Sequence, residues 1–303
     1  MKRQNVMLKA RPLRILRASY RLYRTSRKVT LGLTILFVLA GISVLEPFIS
    51  NYMLKGNSPT SLGLFGRLLP FSIEHPLGTD HYGRDILGLL FNGLKHSLAV
   101  GFLAGSIATL LAVVIALMAA YKGGKWDTVL NSFTSAVLVL PSWAIAAAMV
   151  AYTERLNIYT LSFVIAAFIW AWSARTIRAQ ALSLRERPYI DLARLSGSRD
   201  YEIIFKEMLP NLLPYIAVGF SYAVVGAILF ETGLRLIGLA PGEFMTLGLL
   251  IHWNLTIGVI SQGYYYMLLS PIFFLVLIFA SLNLINVGLD EVFNPRLKKI
   301  TGA

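Results

Sequence analysis

The chain has 303 residues, of which 56% are hydrophobic and only 14% charged, whereas soluble globular proteins carry about 25% charged residues. This deficit is expected if much of the surface faces lipid. The formal net charge is +13, but ten of the 28 lysines and arginines lie within the first 28 residues, which argues against nucleic-acid binding because that function needs basic residues interleaved along a soluble fold.

The N-terminal segment, residues 1–28, is predicted to be a basic cytoplasmic tail. Apolar residues are interspersed among its charges, so it could form an amphipathic helix on anionic lipid or act only as a topology signal. The next stretch, residues 29–50, lacks the small-residue cleavage site of a signal peptide and is predicted to be a retained transmembrane helix.

Uncharged runs of spanning length recur along the chain, and a spanning helix needs about 20 mostly apolar residues. The predicted spans are Val29–Leu45, His96–Tyr121, Thr128–Thr153, Leu156–Ala174, Leu209–Phe230 and Tyr264–Leu289. Residues 244–262 are apolar but contain polar side chains and glycines, so this part is interpreted as re-entrant or interfacial, with a further span left open. The expected fold is an all-α polytopic membrane protein with six transmembrane helices.

Lysine and arginine counts predict the orientation of these spans. With the N-terminus inside, the inside segments hold 22 basic residues and the outside segments hold 6. A seventh span would send three C-terminal basic residues outside. The prediction is therefore a cell-membrane protein with an extracytoplasmic loop at 51–95, a five-helix core at 96–289 and a cytoplasmic C-terminal tail at 290–303.

The longest predicted cytoplasmic loop, residues 185–210, reads as two short helices. Pro188 can open the first, Gly197 can end it in the left-handed conformation, and Ser198 can cap the second. Pro210 and Pro214 are expected to mark a turn into the fifth span. Apolar residues at helical spacing predict one exposed face on the second helix, namely Tyr201, Ile204, Phe205 and Met208. Such a face could bind a partner protein or pack on the chain's own helix ends.

This loop resembles the coupling loop of ABC-transporter permeases of the importer type. The residues that carry the resemblance are Asp191-Leu192-Ala193, Gly197 and Leu209-Pro210. The departures from that family's pattern are Asp for Glu and Leu for the first Ala. The segment His75–Asp85 is similar to the signature before the second span in C-type permeases of the dipeptide, oligopeptide and nickel family. Weaker similarities follow the fifth span, at Glu231-Thr232, and lie near the C-terminus, at Asn294-Pro295-Arg296.

The resemblance implies a type I importer fold and a set of partners. These are a related B-type permease that completes the pore, two cytoplasmic ABC ATPases and an extracytoplasmic solute-binding protein, all acting at a lipid bilayer. Peptides are the expected cargo, with oligosaccharides or nickel as alternatives. The residues expected to couple the chain to the ATPases are Asp191, Ala193, Gly197, Tyr201, Ile204, Phe205, Met208 and Pro210.

Other chemistry finds little support in the sequence. There is no cysteine for a thiolate site and no glycine-rich cradle with Lys and Ser/Thr for nucleotide binding, so the chain is not expected to hydrolyse ATP. His75 and His81 could hold a metal, but a shaped loop with Arg84 paired to an acid is the preferred interpretation, and no metal or other cofactor is predicted.

Two residues are candidates for the translocation path. Glu231 is an acid near a span interior; pairing with Arg235 one turn on is the preferred interpretation, and a gate or a substrate contact is the alternative. Pro141 could kink the third span, and Pro271 could do the same in the sixth. An ion-driven secondary transporter and a membrane enzyme are the rival classes, but neither a midplane ionisable residue in spans two to four nor a convergent catalytic set is evident.

Overall fold

The computed structural model describes residues 26–153, 156–239 and 244–293. Almost all of the predicted N-terminal tail and the Asn294-Pro295-Arg296 motif lie outside these residues. Within them every regular element is helical, and the one β-feature is an isolated bridge between Thr79 and Asp85. The expected all-α class is confirmed.

The helices follow one another with few long connections. They are α1 Arg27–Met53, α2 Ile86–Lys122, α3 Gly124–Val139, α4 Ser142–Ala151, α5 Ile158–Arg185, α6 Pro188–Leu195, α7 Asp200–Leu236, α8 Leu247–Ile257 and α9 Tyr265–Phe293. In the described part of the chain, five of them are long and apolar enough to cross a membrane, and the bent pair α3–α4 makes a sixth if it counts as one span.

Several boundaries differ from the sequence prediction. Helix α2 begins at Ile86, ten residues early, because the Asp85 carboxylate accepts the Gly88 N–H at 2.8 Å and caps it. The third span is broken and turns by 76° at Leu140–Pro141. Pro271 lies inside the continuous helix α9.

The region 244–262 forms the short helix α8, followed by a turn at Gly258. Eleven residues give a helix of about 16 Å, which is half of the hydrocarbon thickness of about 30 Å. Helix α8 therefore cannot cross the bilayer by itself, which favours the re-entrant or interfacial interpretation.

Helices α2, α5 and α7 form the hydrophobic core of the larger compact unit, residues 39–276. One face of α2 carries alanine at every fourth position, and all five are buried: Ala104, Ala108, Ala112, Ala116 and Ala120. Small side chains let membrane helices approach closely. The dispersion contacts between them then stabilise the helix pair, because in lipid the hydrophobic effect does not drive helices together.

The crossing of α2 and α7 depends on two glycines. A Cβ added to Gly101 would lie 2.6 Å from Ile228 Cγ1, and one added to Gly105 would lie 2.8 Å from Val224 Cγ2. Both distances are shorter than a normal van der Waals contact, so any larger residue would push the two helices apart.

We expect Gly105→Ala to lower the free energy of unfolding by about 1–3 kcal/mol, because it overpacks this crossing. Gly226→Ala is the matched control on α7, since a Cβ there would meet no atom within 4 Å. The control should be neutral or stabilising by up to about 1 kcal/mol, since alanine favours helix. Thermal unfolding of both variants in one detergent measures the difference, and equal stabilities would contradict this packing.

The described part of the smaller unit contains residues 26–38, which include the start of α1, and residues 277–293 of α9. A Cβ on Gly288 would lie 2.4 Å from Val29 Cγ2, so the two helices are in close contact there. Lys28 forms an ion pair with Glu291, and Ser26 donates a hydrogen bond to the same carboxylate at 3.4 Å.

Candidate functional site

The segment between α5 and α7 contacts the C-terminal end of α2 through polar side chains. The Tyr121 hydroxyl donates to Asp200 Oδ1 at 2.8 Å, and the Arg194 guanidinium lies 5.5 Å from the centre of the Tyr121 ring. Arg185 Nη1 donates to the Ala120 carbonyl at 2.9 Å. The last turns of α2 and α5 and the first turn of α7 therefore meet at one end of the bundle.

The predicted helix–glycine–helix arrangement is confirmed. Pro188 is the first residue of α6, and Gly197 has φ +78°, a left-handed conformation that glycine adopts without strain. The Ser198 N–H donates to the Ala193 carbonyl at 3.1 Å and closes the turn. The second helix begins at Asp200, so Arg199 and not Ser198 occupies the capping position, where its N–H donates to Glu202 Oε2.

The predicted apolar stripe is divided between the surface and the core. Tyr201 and Phe205 are 54% and 63% exposed, whereas Met208 is fully buried and Ile204 is partly buried against the core. The reason is a π-helical stretch at Ile203–Met208, which has more residues per turn than the α-helix assumed for the stripe.

The two prolines also behave differently from the prediction. Pro210 and Pro214 were expected to mark a turn into the fifth span, but α7 runs without interruption from Asp200 to Leu236. Pro210 lies just after the π-helical stretch, and Pro214 follows one turn later inside the same continuous helix. Tyr201 and Phe205 therefore lie on the same rod as the membrane-spanning part of α7.

Two exposed leucines of α6 complete this surface and were not identified from the sequence. Leu192 is 63% exposed and Leu195 is 86% exposed. Their spacing of three residues on a short helix was the available signal. We call the surface formed by Leu192, Leu195, Tyr201 and Phe205 the 192–205 face.

Ion pairs border the 192–205 face. Lys206 Nζ lies 2.7 Å from Glu202 Oε1, and Arg194 Nη1 lies 3.4 Å from Asp191 Oδ1. Of the other residues predicted for coupling, Asp191 and Pro210 are exposed and Ala193 is half-buried. The surface has an apolar centre with a charged rim, which is typical of protein interfaces.

The opposite end of the bundle carries an ordered loop, residues 54–85. The Asp80 carboxylate accepts the N–H groups of Tyr82 and Arg84 at 2.8 and 2.9 Å and the Arg84 Nε at 2.7 Å. The Arg84 guanidinium then lies 4.6 Å from the centre of the Trp253 ring in α8. The predicted pairing of Arg84 with an acid is confirmed.

The two loop histidines take separate partners. His75 Nδ1 lies 2.8 Å from Asp85 Oδ2, and both side chains are buried. His81 Nε2 lies 2.7 Å from Gln262 Oε1, at the turn after α8. No group of three His, Cys, Asp or Glu side chains within residues 26–153, 156–239 and 244–293 could hold a metal ion.

A buried polar centre joins α7 to α8. Arg235 Nε donates to Glu231 Oε1 at 2.9 Å, and both side chains are almost fully buried. The Thr246 hydroxyl donates to the same carboxylate oxygen at 2.7 Å. The predicted structural pairing of Glu231 with Arg235 is confirmed, whereas the part played by Thr246 was missed because residues 15 apart give no sequence signal.

The broken third span exposes aromatic rings. Trp143, the second residue of α4, stacks on Phe230 of α7 with ring centres 4.6 Å apart and planes at 20°. Phe168 of α5 lies parallel to Phe230 at 6.4 Å. These rings line an open groove of about 570 Å³ beside Leu140 and Pro141.

Comparison with known proteins connects this architecture to a family. Residues 112–299, more than half of the chain, match the binding-protein-dependent transport system inner membrane component. The match includes the α3–α4 break, the 192–205 face and the Glu231 centre.

Relatives extend the similarity towards the N-terminus. The dipeptide transport system permease protein DppC of Bacillus subtilis is 28% identical over 282 residues, covering 93% of this chain and 86% of its own. The oligopeptide transport system permease protein OppC of Mycobacterium bovis is 32% identical over 259 residues, covering 84% and 88%. OppC of Lactococcus lactis is 30% identical over 207 residues, covering 68% and 70%.

The apolar helices and the length of these matches agree on a multi-pass membrane permease. This chain belongs to the family of binding-protein-dependent transport system inner membrane components.

Proposed function

We propose that this chain is the permease subunit of an ATP-driven importer of di- and oligopeptides. We propose further that conformational changes of the ATPase subunits reach it through contacts with the 192–205 face. The observation that carries the proposal is that four large apolar side chains are exposed on a segment that Ile190, Ile203 and Met208 anchor in the core. Peptides are preferred over oligosaccharides and nickel, because the relatives described above are named as dipeptide and oligopeptide permeases.

The segment beneath the 192–205 face is suited to transmit force. Ile190, Ile203 and Met208 each have at most 1% of their surface exposed, and they anchor both short helices in the core. Because α7 is continuous from Asp200 to Leu236, a push on Phe205 moves a membrane-spanning helix and not a loose loop. The contacts of Tyr121 with Asp200 and Arg194 would pass the same displacement to α2.

The chemistry of the 192–205 face fits a protein partner. Aromatic side chains that enter a groove dominate binding energies at interfaces, and a charged rim sets orientation. Tyr201 and Phe205 are the proposed anchors for an ABC ATPase, with the Glu202–Lys206 and Asp191–Arg194 pairs at the rim. Asp191, Ala193, Gly197 and Pro210 would hold the two helices in the geometry that presents these anchors.

The proposed positions of the remaining partners depend on which end of the bundle faces the cytoplasm. With 22 basic residues on one side and 6 on the other, the 192–205 face is proposed to lie in the cytoplasm, with both termini on that side. The loop 54–85 would then face the extracytoplasmic solute-binding protein. A B-type permease would complete the pore, with Pro141 as a proposed element of the path and ATP hydrolysis on separate ATPase subunits.

Reconstitution tests this function. The subunit should be placed in proteoliposomes with its candidate B-type permease, ATPases and binding protein, and uptake of a labelled dipeptide measured with and without internal ATP. We expect uptake that needs ATP and all partners. Uptake by this chain alone along an ion gradient would contradict the proposal, and ATP-dependent uptake of only nickel or oligosaccharide would overturn the peptide assignment.

A further inference from the structure

Helix α7 changes its winding between the 192–205 face and its membrane-spanning part. In the π-helical stretch Ile203–Met208 the hydrogen bonds reach one residue further back than in an α-helix, and the Leu209 N–H donates to the Ile204 carbonyl. Such a turn holds one residue more than an α-helical turn. Since one residue corresponds to about 100° of rotation in an α-helix, the stretch rotates the residues before it by about that angle relative to an uninterrupted helix.

The buried side of α7 follows this change of winding. Ile203 and Met208 are five positions apart, and each has at most 1% of its surface exposed. In a regular α-helix they would point about 140° apart, so that only one of them could face the core. Leu212, also fully buried, follows Met208 at the ordinary spacing of four. The π-helical stretch therefore lets Ile203 and Met208 both face the core while Phe205, between them, stays 63% exposed.

Pro210, just after the stretch, favours the wider turn. A proline has no N–H, and in an α-helix its ring presses against the carbonyl four positions earlier, which here is that of Lys206. A turn with one more residue moves this carbonyl away from the ring. The neighbouring Glu207 carbonyl accepts the side-chain amide of Asn211 at 2.6 Å, so this acceptor has a donor where the winding changes.

The proline ring and the hydrophobic core act on the same turn. Pro214, one turn later, lies inside regular α-helix, so a proline ring alone does not force a π-helical turn. At Pro210 the ring and the burial of Ile203 and Met208 favour the same geometry. Without the ring, residue 210 regains an N–H that can donate to the Lys206 carbonyl, and the α-helical winding becomes available.

We propose that Pro210 is a positioning residue that sets the rotation of Tyr201 and Phe205 about α7 relative to the membrane-spanning part of the helix. It does so by keeping the stretch Ile203–Met208 in the π-helical form. Contact of an ATPase with the two rings then moves α7 in a fixed direction. This inference rests on the proposed coupling to an ATPase and goes beyond it in assigning the residue that sets the angle.

Cysteine labelling tests the angle without any transport. Because the chain has no cysteine, Ile203→Cys places a single thiol on the buried side of α7. In the full-length subunit in nanodiscs, this thiol should react slowly with a water-soluble maleimide. Adding Pro210→Ala should make it react rapidly, because α-helical winding turns position 203 out of the core.

A one-residue deletion separates rotation from unfolding. Deleting Glu207 in the Pro210→Ala background removes the extra residue, so an α-helix would return position 203 to the core and protect the thiol again. An unfolded segment would stay reactive in both variants. Glu207→Ala, which keeps the length of the chain, is the matched control and should leave the labelling of Ile203→Cys slow.

Dipeptide uptake per ATP hydrolysed, measured with the complete reconstituted transporter, tests the consequence for coupling. Pro210→Ala should lower this ratio by about two- to 30-fold, the range for residues that alter coupling from outside the binding sites. Deletion of Glu207 alone should also lower it, since the extra residue is lost while the proline ring stays. The combined variant should recover most of the ratio, which two merely destabilising changes would not do.

Slow labelling of Ile203→Cys in the Pro210→Ala background, or a combined variant that recovers neither protection nor transport, would overturn the inference. Rapid labelling with an unchanged uptake ratio would also overturn it, since the angle would then not matter for coupling. If the unaltered transporter shows no ATP-dependent uptake, the proposed function is wrong, and the labelling alone still decides whether Pro210 sets the winding.

Discussion

Phe205→Ala is expected to weaken binding of the ATPase subunits by about 2 kcal/mol or more, which corresponds to about 30-fold in affinity. The ring is 63% exposed on a segment anchored by fully buried neighbours, so its removal takes away contact area without opening the core. Tyr201→Ala should have an effect of similar size, and peptide uptake should fall in parallel.

The affinity is best measured with the permease pair in nanodiscs and purified ATPase titrated onto it. Tyr159→Ala is the matched control, since Tyr159 is 67% exposed and sits at the first turn of α5, the end remote from Arg185. It should bind ATPase normally. If Phe205→Ala and Tyr201→Ala also bind with unaltered affinity, the anchor role of these rings is wrong.

Glu231→Ala is expected to lower the stability of the subunit by about 3 kcal/mol, because it leaves Arg235 buried beside a cavity without its carboxylate partner. The Glu231 and Arg235 side chains are 1% and 0% exposed, so the arginine that remains has no access to bulk water. Thr246→Val removes the hydrogen bond to Glu231 and also the cap that the hydroxyl provides for the Leu249 N–H at the start of α8, so it should cost about 2 kcal/mol.

A double replacement separates an uncompensated charge from a general packing effect. Glu231→Met together with Arg235→Met removes both charges while keeping most of the volume, and such replacements of buried pairs are often neutral or stabilising. Thermal unfolding in one detergent should therefore place the double variant close to the unaltered subunit and well above Glu231→Ala. A double variant as unstable as the single one would contradict this explanation.

The sequence predicted the features that depend on local chemistry. Pro188 has a restricted backbone conformation that suits the first residue of a helix, and Gly197 adopts the left-handed conformation that ends one, so both predictions hold. The pair Glu231–Arg235 was visible because residues one helical turn apart face each other. The apolar runs predicted the spans because hydropathy depends only on composition.

The features that the sequence did not predict arise from tertiary packing. Met208 was placed on an exposed stripe by α-helical spacing, but the π-helical stretch at Ile203–Met208 turns it into the core. Trp143 was not identified at all, since the vacancy it fills is created by Gly233, 90 positions later in the chain. Contacts at such separation have no periodic signal in one sequence.

The absence of cysteine from the chain allows one direct measurement on the 192–205 face. Leu195→Cys introduces a single thiol on this face while keeping both ring anchors, and its labelling by a membrane-impermeant maleimide is followed in inside-out and right-side-out vesicles, with and without the ATPase. We predict labelling only from the cytoplasmic side and strong protection when the ATPase is bound. Labelling from the outside, or an unchanged labelling rate with bound ATPase, would contradict the account.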